Sequence, residues 1–201
     1  MPLARKAGTM SRTQKILRTL LVVGVVGTVA GVGSFSAFTS QADNPSNKVA
    51  SGTVVLTDND GGTTPLYDIT NAKPGSTQTS CIRVAYTGSL AATVKLYTPS
   101  TIGALGPEVN LKIEPGSQAS PSFPSCTGFV ADGASLFDAA LSTFATSYAG
   151  GVTDFPGAGS SWTNGDAVVY RVTATLSASA PDASQGATTG LHTLRWEAQN
   201  Q

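Results

Sequence analysis

Val109, Leu111 and Ile113 alternate with Asn110, Lys112 and Glu114. A two-residue period places alternate side chains on opposite faces of an extended chain, so it specifies a strand with one buried face. The same period recurs along the chain. Ile82, Val84 and Tyr86 alternate with Cys81, Arg83, Ala85 and Thr87, and Val94 and Leu96 alternate with Thr93, Lys95 and Tyr97. Val168, Tyr170, Val172, Ala174 and Leu176 share a face opposite Arg171, Thr173 and Thr175. A last strand sets His192, Leu194 and Trp196 against Arg195 and Glu197, and shorter candidates run from Thr53 to Thr57 and from Leu66 to Thr70. Turn signals separate these segments: Asp60-Gly61-Gly62, Lys73-Pro74-Gly75, Thr87-Gly88-Ser89, Glu114-Pro115-Gly116 and Asn164-Gly165-Asp166. The loosest piece, Gly150 to Gly165, reads as a surface loop.

One segment departs from this period. Phe137, Leu141, Phe144 and Tyr148 fall at i, i+4, i+7 and i+11, one stripe of an α-helix. Ser135 and Asp138 have the spacing of a capping box, and Gly150-Gly151 can end the helix. The expected fold class is therefore all-β: a two-sheet antiparallel, jelly-roll-like sandwich with one inserted short helix.

The N-terminus follows a different rule. Arg5, Lys6, Arg12, Lys15 and Arg18 precede Thr19, and no acidic residue occurs before Asp43. A Val- and Leu-rich apolar run follows and stops at Ser34 and Ser36. A basic region, a short apolar core and small residues two apart are the layout of a secretory signal peptide. Cleavage is expected between Ser36 and Ala37. A spanning helix needs about 20 apolar residues, and an uncleaved anchor is the alternative. The expected organisation is a signal peptide at 1–36, an N-terminal segment at 37–50 and one domain at 51–201. Cleavage would leave all 12 acidic residues and seven of the 12 basic ones, a formal charge of −5. That balance argues against a nucleic-acid partner, which basic patches would serve.

Cys81 and Cys126 are the two cysteines. An exported chain can join them, and one bridge is the single intramolecular pairing possible; two separate buried thiols are the alternative. Catalytic signatures are sparse. His192 is the sole histidine, and it shares a face with Leu194 and Trp196, as a structural histidine would. No G-x-S-x-G elbow, H-E-x-x-H, P-loop or G-x-G-x-x-G occurs. Asp58-Asn59-Asp60-Gly61-Gly62 fails the calcium-loop pattern, because its glycine comes too early and Ile69 stands where a bidentate Glu belongs, so a hairpin turn is expected. No catalytic, cofactor or metal residue is assigned.

Several short motifs, taken in order, resemble a known family. Ala37-Phe38 follows the signal, and Lys48-Val49-Ala50-Ser51-Gly52-Thr53-Val54-Val55-Leu56 follows in turn. Asn71-Ala72-Lys73-Pro74-Gly75, Val84 to Leu90 (VAYTGSL), Gln185-Gly186 and Trp196-Glu197-Ala198 come after these. This succession resembles the TasA/camelysin family of exported proteins, whose signal is processed by a SipW-like peptidase. The usual Asn of the family's N-x-G-S-L element is missing here, and Thr98 to Gly165 matches weakly. The resemblance implies a jelly roll exported to the cell surface or biofilm matrix, with a signal peptidase as its transient partner and contact with the membrane only through the uncleaved signal. It also implies head-to-tail self-assembly into fibres, with the N-terminal segment of one subunit completing a sheet of the next. Ala37 to Ala50 would be that donor segment, anchored by Phe38 and Val49, although Pro45 interrupts any continuous strand. The camelysin name also carries a metallopeptidase label, for which the residues offer no zinc-ligand set. Two alternatives stand beside the fibre subunit. One is a secreted hydrolase, either that metalloendopeptidase or a carboxylate glycosidase. The other is a monomeric polysaccharide-binding module using Trp162 or tyrosines as platforms.

Overall fold

The computed structural model describes residues 11–21, 48–62, 64–156 and 159–201. The chain divides into two compact units, Met1–Val49 and Ala50–Gln201. In the first, residues 12–21 form a helix, α1, which exposes Ile16, Leu17, Leu20 and Leu21. No helix among the described residues is long and apolar enough to cross a membrane. The expected cleavage residues Ser34, Ser36 and Ala37 lie outside the described residues, as does Phe38; Val49 is described and fully exposed.

The second unit is all-β, with two antiparallel sheets. The larger sheet contains β1 (Leu56–Asp58), β2 (Thr77–Tyr86), β4 (Val109–Gln118), β5 (Phe129–Ala131), β6 (Phe137–Ala140) and β8 (Ala167–Leu176). Its order is β1-β2-β8-β4-β5, with β6 also on β4. The smaller sheet runs β7-β3-β9, from β3 (Ala92–Tyr97), β7 (Val152–Thr153) and β9 (Arg195–Asn200). The period-two faces read from the sequence meet between the sheets. Ile82, Val84, Tyr86, Leu111, Ile113, Tyr170 and Val172 from the larger sheet share one core with Val94 and Leu96 from the smaller. Their alternation partners lie outside, where Thr77 pairs with Thr175 and Thr79 with Thr173 through their hydroxyls.

Cys81 and Cys126 are joined in a disulfide, with Cα atoms 5.1 Å apart. The Cys81 N–H also donates to Pro124 O at 3.0 Å, so the 122–126 loop lies along β2 beyond the end of β1.

Four expectations are corrected. Residues 135–150 form no α-helix. Phe137–Ala140 is strand β6, paired with Asn110–Ile113, and short 3-10 turns follow at Leu141–Thr143 and Tyr148–Gly150. Strand β4 has an edge whose backbone groups need partners, and pairing satisfies them better than an isolated helical stripe could. The stripe residues remain internal: Leu141 and Phe144 are buried, and Phe144 meets Phe137 edge-on at 4.8 Å between ring centroids. Asp138 does not cap a helix; it faces Lys112 at 4.0 Å.

Glu114-Pro115-Gly116 is not a turn, since β4 runs through it. The Pro115 carbonyl accepts from Asp132 N, so the side of Pro115 that lacks an N–H faces the seam between β6 and β5, where no ladder donor is required. A Cβ on Gly116 would strike Val130 O and the Phe129 ring, so this close approach requires glycine.

Leu66 to Thr70 is not a strand, although Leu66, Tyr67 and Ile69 pack on the core; Asp68 N bonds the Gln78 side chain instead of a ladder partner. The last strand starts at Arg195, which leaves His192 in the preceding loop.

Candidate functional site

A sandwich must dispose of its edge strands, because an unpaired edge is a template for another strand. The long strands β2, β3 and β4 are covered, chiefly by the short strands β1, β5, β6 and β7, each of which pairs on one side only. Strand β2 is shielded by β1 over Val84–Tyr86, by Asn59 Oδ1 accepting from Arg83 N at 2.8 Å, and by Pro124 O at Cys81 N. Strand β4 is covered by β6 and β5, with Leu136 N and Asp132 N filling the positions between. Strand β3 is covered by β7, by the Ala92–Trp162 bridge and by Ala145 O at Thr98 N.

Strand β9 is different. Its six residues pair with β3 alone. Ala92 uses its N–H and C=O on Trp162, on the far side of β3. The antiparallel alternation then turns Arg195, Glu197 and Gln199 toward β3 and aims the backbone groups of Trp196, Ala198 and Asn200 outward. Among the described residues no backbone partner meets those outward groups. Among the described residues the buried indole N–H of Trp196 meets no acceptor in full hydrogen-bonding geometry, the Tyr170 hydroxyl being a polar neighbour.

Arg195 and Trp196 border a cleft of about 1550 Å³. Its floor is the inner face of the larger sheet at Ile82, Val84, Ala174 and Leu176, and its walls are the loops after β1 and before β9. These floor residues are buried, so the loops after β1 and before β9 cover them from solvent. Across it, Tyr67 Oη and His192 Nε2 stand 2.6 Å apart, and His192 Nδ1 lies 2.9 Å from Gly190 O. His192 was expected to share a strand face with Trp196; it is half-buried in the loop and tied to a tyrosine. Burial pushes the Tyr67 phenol above its ordinary value of 10.0.

The remaining candidates hold structural roles. In the Asp58–Gly62 turn, Asp58 accepts from Asp60 N, Asp60 from Gly62 N and Asn59 from Arg83 N, so these side chains are engaged by backbone. Burial, reinforced by neighbouring Asp60, raises the Asp58 carboxyl. No group of three or more His, Cys, Asp or Glu side chains among the described residues could hold a metal ion. Trp162 is not an exposed platform: it is 0% exposed, and its indole N–H donates to Asp154 O at 2.7 Å. Its flanking Gly, Ser and Pro residues mark a loop but carry no sign that the indole plugs the core.

A second cavity, of about 270 Å³, is lined by two carboxylates, Asp132 and Asp154. Sequence reading had nothing to bring this pair together, since the two lie on separate loops. Burial raises Asp154, while Phe155 N–H and the Tyr170 hydroxyl pull it back.

The motif stretches at Ser51–Thr53 and Gly88–Leu90 meet in space. Thr53 N donates to Ser89 Oγ at 2.9 Å, Ser89 N to Thr53 Oγ1 at 3.3 Å, and Leu90 N to Thr53 O at 3.2 Å. A Cβ on Gly52 would collide with the Leu90 side chain.

No protein-family model matches this chain, and no curated protein matches it.

Proposed function

We propose that this chain is an exported structural subunit that assembles head to tail into surface or matrix fibres. In this reading the β9 edge and its cleft accept an extended segment from a neighbouring copy. The observation that carries it is the combination at β9: a six-residue edge that no strand among the described residues covers, in a sandwich whose longer strands are otherwise covered, beside a cleft with an apolar floor. Strand addition supplies main-chain hydrogen bonds to such an edge, and side-chain pockets supply selectivity. The donor is residues 37–50, whose Phe38 and Val49 are the apolar anchors. A segment of one copy seated on the β9 edge of the next is a heterologous contact, which builds a filament where the rotation does not close.

The test compares Ala37–Gln201 with the same chain lacking residues 37–50, by negative-stain electron microscopy and sedimentation. Fibres from the longer form and monomers from the shorter are expected. Equal polymerisation of both would overturn the donor assignment. Monomers from both at high concentration would overturn the fibre reading.

A further inference from the structure

The two walls of the cleft are anchored unequally. The wall before β9 is held by backbone: Gly103 N donates to Thr189 O at 2.7 Å, Leu105 N to Thr188 O at 3.2 Å, and Thr193 N to Ser100 Oγ at 3.1 Å. Close packing reinforces this, because a Cβ on Gly103 would strike Thr188 O. The opposite wall, residues 64–70, forms no strand; Asp68 N bonds Gln78 Oε1 at 3.0 Å, and Tyr67 reaches across the opening to His192. The two rings lie 5.5 Å apart, tilted by 48°.

The polarity of this contact follows from its second partner. Gly190 O can only accept, so His192 Nδ1 carries the ring proton. In the neutral ring Nε2 is then an acceptor, and the Tyr67 hydroxyl donates to it. The 64–70 wall is seated on the core by Leu66, Tyr67 and Ile69, and across the opening one side-chain hydrogen bond joins it to the backbone-held wall.

We infer that Tyr67 and His192 form a clasp across the cleft, closing the 64–70 wall over the apolar floor and opening to admit an incoming strand. The clasp shields the floor in a free subunit and slows strand uptake. The uptake half of this inference rests on the acceptor reading of β9; the closing half does not. One hydrogen bond of ordinary net strength shifts an opening equilibrium by about fivefold.

The experiment uses Ala37–Gln201 without residues 37–50, together with a synthetic peptide of residues 37–50. Hydrogen exchange at 64–70 and the peptide association rate are measured for the parent and for Tyr67→Phe, His192→Ala, His192→Gln and His192→Asn. Tyr67→Phe and His192→Ala are expected to raise both by about fivefold. Gln can place an acceptor near the Nε2 position and should stay close to the parent; Asn reaches only the Nδ1 position and should behave like Ala. Unchanged exchange at 64–70 in Tyr67→Phe and His192→Ala would overturn the clasp, whatever the peptide does. Faster exchange without peptide binding in any variant would keep the closing half and sink the acceptor reading. Faster exchange with an unchanged association rate would sink the uptake half alone. Thermal unfolding of each variant confirms that exchange is read on a folded domain.

Discussion

Tyr170 on β8 and Trp196 on β9 meet across the sandwich, with ring centroids 5.5 Å apart and planes tilted by 42°. The contact ties the bare edge strand to the centre of the larger sheet. Trp162 also belongs to the core, but it is wholly enclosed. Removing either indole leaves a void that the packed walls fill only partly. Trp162→Ala is expected to cost about 3–5 kcal/mol and Trp196→Ala about 3 kcal/mol, because Trp196 is only partly enclosed. Urea unfolding checks both. A cost near zero at Trp162 would restore it as a surface residue and contradict its burial.

The Cys81–Cys126 bridge spans 45 residues of sequence and fixes the 122–126 loop along β2. Closing a loop of that length removes chain entropy from the unfolded state worth about 4 kcal/mol. The double variant Cys81→Ser with Cys126→Ser should therefore lose about 4 kcal/mol in guanidinium unfolding. The intact protein should show the same loss when reductant is added. Reduction removes the covalent tie of the 119–128 loop to β2, so proteolysis of the reduced form should begin there.

Strand faces were legible in the sequence because a half-buried strand repeats its apolar pattern every second residue. The core residues of β2, β3, β4 and β8 follow directly from that pattern. Segment 137–148 was not legible. Four apolar residues at helical spacing fit a helix stripe and fit a strand followed by 3-10 turns equally well, and β4's need for a partner decides between them. Pro115 carried the same ambiguity: its turn signal is local, whereas the seam that tolerates it is made by β5 and β6. The cleft was invisible for a related reason. An unpaired edge is a property of strand order, and no residue in Arg195–Asn200 announces it.

Acid should act on this fold in two opposing steps. Glu114 is held below its ordinary 4.5, chiefly by its hydrogen bond from Arg171; burial opposes this and Lys112 adds to it. A depressed carboxylate contributes stability above its unfolded value and loses it as pH falls through its folded value. Asp154 is raised above its ordinary 3.8, chiefly by burial, so its charged form costs stability near neutral pH. That cost fades as pH falls through the raised value toward 3.8. Stability should thus rise slightly on mild acidification and fall below the ordinary carboxylate range. Asp154→Asn should lessen the rise, leaving the part that the likewise raised Asp58 supplies, and Glu114→Gln should flatten the fall, both read from thermal midpoints across pH. An Asp154→Asn profile that keeps the whole mild-acid rise would assign it to another group.

Proline at neighbouring positions of β9 separates its two edges. The Ala198 N–H points away from β3, so Ala198→Pro leaves the β3 ladder intact and removes a donor from the bare edge. The Gln199 N–H points into the ladder, so Gln199→Pro breaks a bond the domain uses and should cost about 1–3 kcal/mol. Ala198→Pro is expected to keep a cooperative unfolding transition close to the parent's, yet to abolish fibre growth in Ala37–Gln201 and to poison parent fibres when mixed with them. The addition of a strand needs the outward N–H of Ala198 and room for a second backbone beside it, and the pyrrolidine ring removes both. Fibres of normal length from Ala198→Pro, with the domain folded, would place the acceptor somewhere other than β9. Growth arrested by Gln199→Pro alone would mean that fold stability, rather than edge chemistry, controls assembly.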